Sequence, residues 1–75
     1  MTERLIAAIA QILECEPAEL APSTPFRDLP NWDSLAYLTL VTTIDSEFGV
    51  PIPRVDFQKL NTISDIADYI ATHRG

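Results

Sequence analysis

The residues of this sequence that could do chemistry concentrate around one serine, in the segment Asp33-Ser34-Leu35. A serine at the start of a helix lies near the free N–H groups of the first turn, where the helix dipole favours negative charge. An anionic group such as a phosphodiester, esterified to the Ser34 hydroxyl, would be tolerated there. Asp33 would cap the helix, or help to bind a metal ion that a modifying enzyme uses when phosphate is transferred.

Catalysis by the chain itself is the alternative use of such residues. Nucleophilic attack by Ser34 would need a base within hydrogen-bond reach, and the one histidine, His73, falls in a C-terminal turn that is expected to fray. Carboxylates such as Asp28 and Asp33 could do acid–base work, but a small helical protein offers little pocket in which to desolvate them. We therefore expect a protein without catalytic activity.

The charge of the chain limits its partners. Eleven acidic against five basic side chains give a net charge of −6, which would repel the phosphates of nucleic acids and anionic membrane surfaces. We expect neither nucleic acid nor a membrane as a partner. The same field would steer the chain toward basic patches on other proteins, although acidity is explained equally well as a means of staying soluble.

Length and cysteine content limit the architecture. A chain of 75 residues has room for one domain, which we assign to residues 1–75, and its core must be thin. Cys15 has no partner for a disulfide and a lone histidine gives no metal-ligand cluster, so apolar packing must hold the fold. No apolar run approaches the roughly 18 to 20 residues that span a bilayer, and the N-terminal segment lacks a basic leader. We expect a monomeric cytoplasmic protein.

Apolar spacing predicts the helices that would position Ser34. Leucines and isoleucines at spacings of three and four mark one face of a first helix over about residues 3–14. Asp33 stands where an N-cap should, before a stretch without glycine or proline that ends at Gly49, which predicts a second helix over residues 34–48. The apolar stripe predicted for this helix comprises Tyr37, Val41, Ile44 and Phe48, with Leu40 beside them. Because this segment is rich in β-branched residues, a strand is the competing interpretation. The length of the segment, the capping residues at its ends and the helical spacing of its apolar residues favour a helix.

The remaining segments predict a long loop and two further helices. Four prolines between residues 16 and 32 interrupt the helical pattern, and such a loop is either functional or fixed by its own apolar residues. The later run VDFQKL is long enough for one helical turn or a very short third helix. Thr62 and Asp65 resemble a capping box, and they open a last helix whose predicted inward residues are Ile63, Ile66, Ala67 and Ile70. These elements predict an all-α fold, a small four-helix bundle with three longer helices and one short third helix.

The sequence resembles the acyl carrier protein family along nearly its whole length. The likeness lies in Phe26-Arg27-Asp28-Leu29, Asp33-Ser34-Leu35, Glu47-Phe48-Gly49-Val50, Ile52-Pro53, Thr62-Ile63, Asp65-Ile66 and Tyr69-Ile70. In that family a phosphopantetheinyl transferase moves the 4′-phosphopantetheine of coenzyme A onto the serine of an Asp-Ser-Leu motif, so the resemblance implies attachment at Ser34. The terminal thiol would then hold acyl groups as thioesters. An acyl-loading ligase or synthase would supply these groups, and downstream acyl-processing enzymes would extend, modify or transfer them.

Two departures from the family pattern change the expected setting of Ser34. Carriers of fatty acid synthesis usually have a glycine-containing turn where this chain has Pro30-Asn31-Trp32, and a glutamate where it has Thr39. The side chains expected to surround Ser34 instead, and to bind partners, are Trp32, Leu35, Leu38 and Thr42. Such a surface would favour apolar recognition of a specific partner. Packing against the long loop is the alternative role of Trp32 and Leu38, and for Trp32 it is the favoured one.

The sequence thus predicts a carrier of acyl groups in a specialised pathway, of the secondary-metabolite, polyketide or lipid-like kind, rather than in primary fatty acid synthesis. The apolar interior of the bundle could open to shelter a bound acyl chain. An aminoacyl or peptidyl carrier is the near alternative. The more distant one is an unmodified helical interaction module that binds partners through Leu35 and Leu38.

Overall fold

A computed structural model describes residues 2–74, and within them the chain forms four α-helices and no β-strand. The helices are α1 (Thr2–Leu13), α2 (Ser34–Phe48), α3 (Arg54–Phe57) and α4 (Ile63–His73). Two 3-10 turns, Pro17–Glu19 and Phe26–Asp28, lie in the long connection between α1 and α2. The predicted all-α fold, with three longer helices and a short third one, is confirmed. No helix in the described part of the chain combines the length and the apolar character that crossing a membrane requires.

Two residues outside α2 determine where it begins and ends. Asp33 is the N-cap, with an extended backbone, and its Oδ1 accepts a hydrogen bond from the N–H of Ala36 at 2.8 Å. Gly49 follows the helix in the left-handed conformation, with a φ of 70°, and its N–H donates to the carbonyl of Asp45 at 3.0 Å. A left-handed backbone favours glycine, because a side chain is strained there. The predicted span 34–48 is confirmed at both ends.

The buried face of α2 differs from the predicted stripe. The residues of this helix that are buried recur at intervals of four: Ala36, Leu40, Ile44 and Phe48. Tyr37 and Val41, which the prediction places in the stripe, are half-buried at the edge of the core. That part of the prediction is wrong because α2 carries apolar residues on more than one face, so spacing alone leaves the buried face ambiguous. The small Ala36 is buried instead, and the Tyr37 ring turns toward α3, where its centroid lies 5.0 Å from that of Phe57.

One apolar core joins the four helices. α1 matches its predicted span to within a residue and ends at Leu13, since Glu14 adopts a left-handed φ of 55°. The buried side chains of α4 are the four predicted to face inward, namely Ile63, Ile66, Ala67 and Ile70. Phe57 of α3 and Phe26 of the long connection are also buried. Burial of each such large side chain stabilises the fold by about 1.5–3 kcal/mol, so the connection contributes to the core rather than only covering it.

A capping box fixes the start of α4. The Thr62 hydroxyl accepts from the N–H of Asp65 at 3.1 Å, and Asp65 Oδ2 accepts from the N–H groups of Asn61 and Thr62 at 2.9 and 3.1 Å. These backbone hydrogen bonds, that from Asn61 first, hold the pKa of Asp65 below its usual value. The predicted capping box is confirmed.

Hydrogen bonds fix the long connection to the helices at two points, one near its middle and one just before α2. Asn31, just before α2, donates from Nδ2 to the carbonyl of Leu13 at 2.6 Å, and so ties the turn before Ser34 to the end of α1. Farther back, the carbonyl of Pro22 accepts from the N–H of Ser64 at 2.7 Å, at the start of α4. Because these bonds hold the connection on two helices, the beginning of α2 has a defined position relative to the core.

Candidate functional site

Ser34 is the first residue of α2, and its side chain is exposed. The first N–H groups of a helix have no acceptor within the helix and form the positive end of its dipole. Asp33 satisfies one of them, that of Ala36, while the Ser34 hydroxyl stands beside this end of the helix. The arrangement therefore presents a hydroxyl to solvent where an attached anion is electrostatically favoured.

A pocket of about 350 Å³ opens beside Ser34, and it is called the Ser34 pocket below. It is lined by Arg27, Trp32, Asp33, Ser34, Tyr37, Arg54, Phe57 and Gln58. It lies where the turn before α2, the first turns of α2 and the short α3 meet. A group attached to Ser34 would therefore have an apolar wall and basic side chains within the same pocket.

An aromatic cluster of four rings consists of Phe26, Trp32, Tyr37 and Phe57, and the last three of these rings build that wall. Phe26 is fully buried, and its centroid lies 5.1 Å from Trp32 and 5.4 Å from Phe57, with the rings inclined by 64° and 60°. Such inclined ring pairs contribute about 0.5–1.5 kcal/mol each beyond the area they bury. The cluster joins the long connection, α2 and α3 beside the Ser34 pocket, so these elements hold their relative positions.

Arg27 fixes α3 against the long connection. Its Nη2 donates to the carbonyl of Phe57 at 2.7 Å, and its Nη1 donates to the carbonyl of Leu60. The guanidinium also lies over the Phe26 ring, 4.9 Å from the centroid. On the other side of α3, the Tyr69 hydroxyl donates to Asp56 Oδ2 at 2.7 Å. These bonds explain how a helix of four residues keeps a defined place at the pocket.

Arg54, at the start of α3, is the second basic residue of the Ser34 pocket. It is exposed, and its guanidinium carbon lies 6.0 Å from the centroid of the Tyr37 ring. Neither Arg54 nor Phe57 is among the site residues predicted from the sequence. Their only signal there is the short run around VDFQKL, whose approach to Ser34 depends on tertiary packing and not on spacing along the chain.

The predicted site residues fall into two groups. Asp33 and Trp32 line the Ser34 pocket with Ser34, and Trp32 is half-buried against Phe26 and Phe57. The packing role favoured for Trp32 is therefore the one the structure shows, although it leaves part of the ring facing the pocket.

Leu35, Leu38 and Thr42 form the other group and lie outside the pocket. Leu35 and Leu38 are 71% and 59% exposed, and Thr42 is exposed one turn further on. Leu38 does not belong to the apolar core or to the side chains packed against it. Thr39 turns its hydroxyl onto its own helix, where it donates to the carbonyl of Leu35 at 2.8 Å. The outer face of α2 near Ser34 is thus apolar.

The cysteine and the histidine of the chain, Cys15 and His73, lie outside the Ser34 pocket. Burial raises the pKa of the Cys15 thiol, and the charges of Glu19 and Glu16 raise it further, which favours the unreactive protonated form. His73 stacks on the Tyr69 ring of α4 with the centroids 3.9 Å apart. Between residues 2 and 74 no group of three or more histidine, cysteine, aspartate or glutamate side chains could hold a metal ion.

Comparison with known proteins defines the family. Residues 3–70 match the model of the family described as phosphopantetheine attachment site. The acyl carrier protein of Thermosynechococcus vestitus is 35% identical over 68 residues, which cover 91% of this chain and 84% of that protein. The acyl carrier protein of Myxococcus xanthus is 33% identical over 72 residues, 91% of each chain. The chain therefore belongs to the acyl carrier protein family, whose members carry acyl groups and are not catalysts.

The chain is also similar to an acyl carrier protein whose name states a particular role. The meromycolate extension acyl carrier protein of Mycobacterium leprae is 36% identical over 72 residues, which cover 91% of this chain but 63% of that protein. The chain thus spans about two thirds of the length of this relative.

The phosphopantetheine-binding domain of acyl carrier proteins bears a covalently attached 4′-phosphopantetheine. The residues present fit this group, because the structure offers an exposed hydroxyl at a helix N-terminus beside a pocket with two arginines. Membership of the family also implies that a phosphopantetheinyl transferase and acyl-processing enzymes act on the chain.

Proposed function

We propose that Ser34 bears the 4′-phosphopantetheine and that the chain presents acyl intermediates, held as thioesters on this arm, to partner enzymes. The observation that carries the proposal is the position of Ser34, which is exposed, is the first residue of α2 and lines the Ser34 pocket. Ser34 is also the serine of the Asp-Ser-Leu segment by which the chain resembles its family.

The attachment is a phosphoryl transfer from coenzyme A. The Ser34 oxygen attacks the phosphorus that is bonded to the pantetheine, a new P–O bond forms, and adenosine 3′,5′-bisphosphate leaves with the electrons of the broken bond. A base of the transferase takes the serine proton. This chain contributes the exposed hydroxyl and the positive end of α2, which stabilises the phosphodiester that results. When attached, the arm supplies the thiol that forms thioesters.

Asp33 has two roles in this proposal. It caps α2 and so holds Ser34 on the first turn, as its bond to the N–H of Ala36 indicates. It also presents a carboxylate next to the serine for recognition by the transferase, whose metal ion would be a fitting partner. The two roles can be separated, because asparagine caps a helix as well as aspartate does but carries no charge.

The exposed face formed by Leu35, Leu38 and Thr42, called the α2 face below, is the proposed binding surface for the loading enzyme. Two exposed leucines within a turn of Ser34 support apolar recognition, and the only acids in α2 are Asp45 and Glu47, at its far end. Basic partner surfaces have little to bind on the α2 face, so we assign the chain to a specialised pathway with a dedicated ligase or synthase that supplies the acyl group.

Intact-mass measurement tests attachment. The chain is incubated with coenzyme A and a promiscuous phosphopantetheinyl transferase, beside Ser34→Ala and the control Ser46→Ala, which removes an exposed serine from the same helix. The parent and Ser46→Ala are expected to gain the mass of one phosphopantetheine, and Ser34→Ala to gain none. A parent chain of unchanged mass would support the unmodified interaction module instead, and a modified Ser34→Ala would place the arm on another residue.

A further inference from the structure

The Ser34 pocket concentrates positive charge in an acidic chain. The sequence holds eleven acidic and five basic side chains, yet two arginines, Arg27 and Arg54, line this pocket beside one carboxylate, that of Asp33. Asp33 already accepts the capping bond from the N–H of Ala36. The positive end of the α2 dipole adds further positive potential at the pocket. The local field therefore favours an anion, against the sign of the chain as a whole.

The two arginines differ in how firmly the fold holds them. Arg27 is half-buried, and two of its nitrogens donate to the carbonyls of Phe57 and Leu60. Its role is therefore structural. Arg54 is exposed, and its guanidinium lies over the Tyr37 ring, with the guanidinium carbon 6.0 Å from the ring centroid. An aromatic face orients a guanidinium while leaving its N–H edge free to bind a ligand. Arg54 is thus the residue suited to meet an anion that enters the pocket.

We propose that Arg54 is an anion-binding residue of the Ser34 pocket, and that it pairs with a negatively charged oxygen group which the prosthetic arm brings there. The inference rests on attachment at Ser34 and goes beyond it, by naming where the arm is held and by which side chain. A guanidinium matches the geometry of phosphate and of carboxylate with two parallel hydrogen bonds. The group is either the phosphodiester of the arm or a carboxylate at the end of an acidic cargo.

This pairing would hold the arm against the aromatic wall instead of leaving it free in solvent. Its stabilising effect would appear only after the arm is attached, and it would weaken with salt, since the pair is exposed. A purely structural role of Arg54 would stabilise the chain equally with and without the arm. The difference in melting temperature between the loaded and unloaded forms of one variant therefore isolates the proposed pairing.

The experiment compares four forms of each protein. A promiscuous phosphopantetheinyl transferase converts the unloaded chain with coenzyme A, acetyl-coenzyme A or malonyl-coenzyme A, and intact mass verifies each product. The variants are Arg54→Gln, which removes the charge, and Arg54→Lys, which keeps it. The matched control is Arg4→Gln, because Arg4 also lies over an aromatic ring, that of Phe48 at 4.9 Å, but borders a different groove between α1 and α2.

The expected result is a loaded form of the parent chain that melts about 3 °C above the unloaded form at low salt. Arg54→Gln should lose this difference, Arg54→Lys should keep part of it, and Arg4→Gln all of it. About 1 M salt should reduce it in the parent. If all three loaded forms gain stability, Arg54 binds the phosphodiester; if the malonyl form alone does, it binds the cargo carboxylate.

Two results would overturn the inference, and they are distinguishable from failure of the proposed function. One is a parent chain whose three loaded forms melt at the same temperature as the unloaded form. The other is a loaded-minus-unloaded difference in Arg54→Gln equal to that of the parent. In both cases the mass shows that the arm is attached. A parent chain whose mass does not change would refute attachment itself, and the role of Arg54 with it.

Discussion

The rings of Trp32 and Phe57 lie nearly parallel, with an interplanar angle of 5° and centroids 6.1 Å apart. Trp32 precedes the cap of α2 by one residue, and Phe57 ends α3, so this stacked pair joins the two elements that border the Ser34 pocket. Phe57 is buried while Trp32 is half-buried, which makes Phe57 the inner member of the pair. The position of Ser34 relative to α3 therefore depends on Phe57.

Replacing Phe57 should destabilise the whole fold. Phe57→Ala removes contacts with Phe26, Trp32 and Tyr37 and leaves a cavity, so we expect a loss of about 3–5 kcal/mol in the free energy of unfolding. Phe57→Leu should lose less, because it refills part of the cavity. Urea unfolding followed by circular dichroism measures both. An alanine variant as stable as the parent would contradict the central place given to this ring.

Asp33 allows the cap to be separated from recognition. Asp33→Ala should lower the free energy of unfolding by about 1 kcal/mol, because the N–H of Ala36 loses its acceptor, whereas Asp33→Asn should retain most of it. If the charge is recognised by the transferase, Asp33→Asn should be folded yet modified more slowly. Rates of mass gain, with thermal unfolding as the reference, test this. Modification of Asp33→Asn at the parent rate would show that the residue acts only as a cap.

Asp65 makes the stability of the fold depend on pH in the acidic range. Its folded pKa lies below its usual value, so on acidification the unfolded chain binds the proton first, and the stability that Asp65 contributes is lost as pH falls through the folded pKa. Above the unfolded value of about 3.9 that contribution is complete. Asp65→Asn should therefore flatten the fall in melting temperature below about pH 4. Asp68→Asn, an exposed change on the same helix, should leave the fall as it is in the parent.

The α2 face should control loading by the cognate enzyme. Leu38→Glu puts a charge into a surface proposed to be apolar, and we expect about a tenfold or greater loss in kcat/KM for loading, with an unchanged helical spectrum. Ala71→Glu is the control, because Ala71 is also an exposed apolar residue of a helix but lies on α4, away from the Ser34 pocket. Loading kinetics that Leu38→Glu leaves unaltered, or that Ala71→Glu slows as much, would refute recognition through this face.

Local signals in the sequence were enough to predict where the helices begin and end. Asp33 and Gly49 mark the bounds of α2, and Thr62 with Asp65 marks the start of α4, because caps act through hydrogen bonds to near neighbours in the chain. The inward face of α4 also followed from spacing, since its apolar residues lie on one side. Short-range chemistry thus determines most of the architecture.

The pocket could not be predicted in the same way. Spacing predicts Tyr37 and Val41 on the buried face of α2, where the structure has Ala36, because this helix has apolar residues on more than one side and only the packing of its neighbours selects a face. Arg54 and Phe57 reach the site through the fold of α3, about twenty residues along the chain from Ser34. The local sequence is enough to propose Ser34 as the attachment site, whereas the other residues of the Ser34 pocket become visible only in the three-dimensional arrangement.

The central claim is attachment at Ser34, and fragmentation of the loaded chain in a mass spectrometer tests it most directly. The parent protein is treated with coenzyme A and a promiscuous phosphopantetheinyl transferase, digested, and the peptide that contains Asp33-Ser34-Leu35 is sequenced. We predict that the fragment ions place one phosphopantetheine on Ser34. Fragments that place it on another serine, such as Ser23 or Ser46, or a peptide that remains unmodified, would contradict the account.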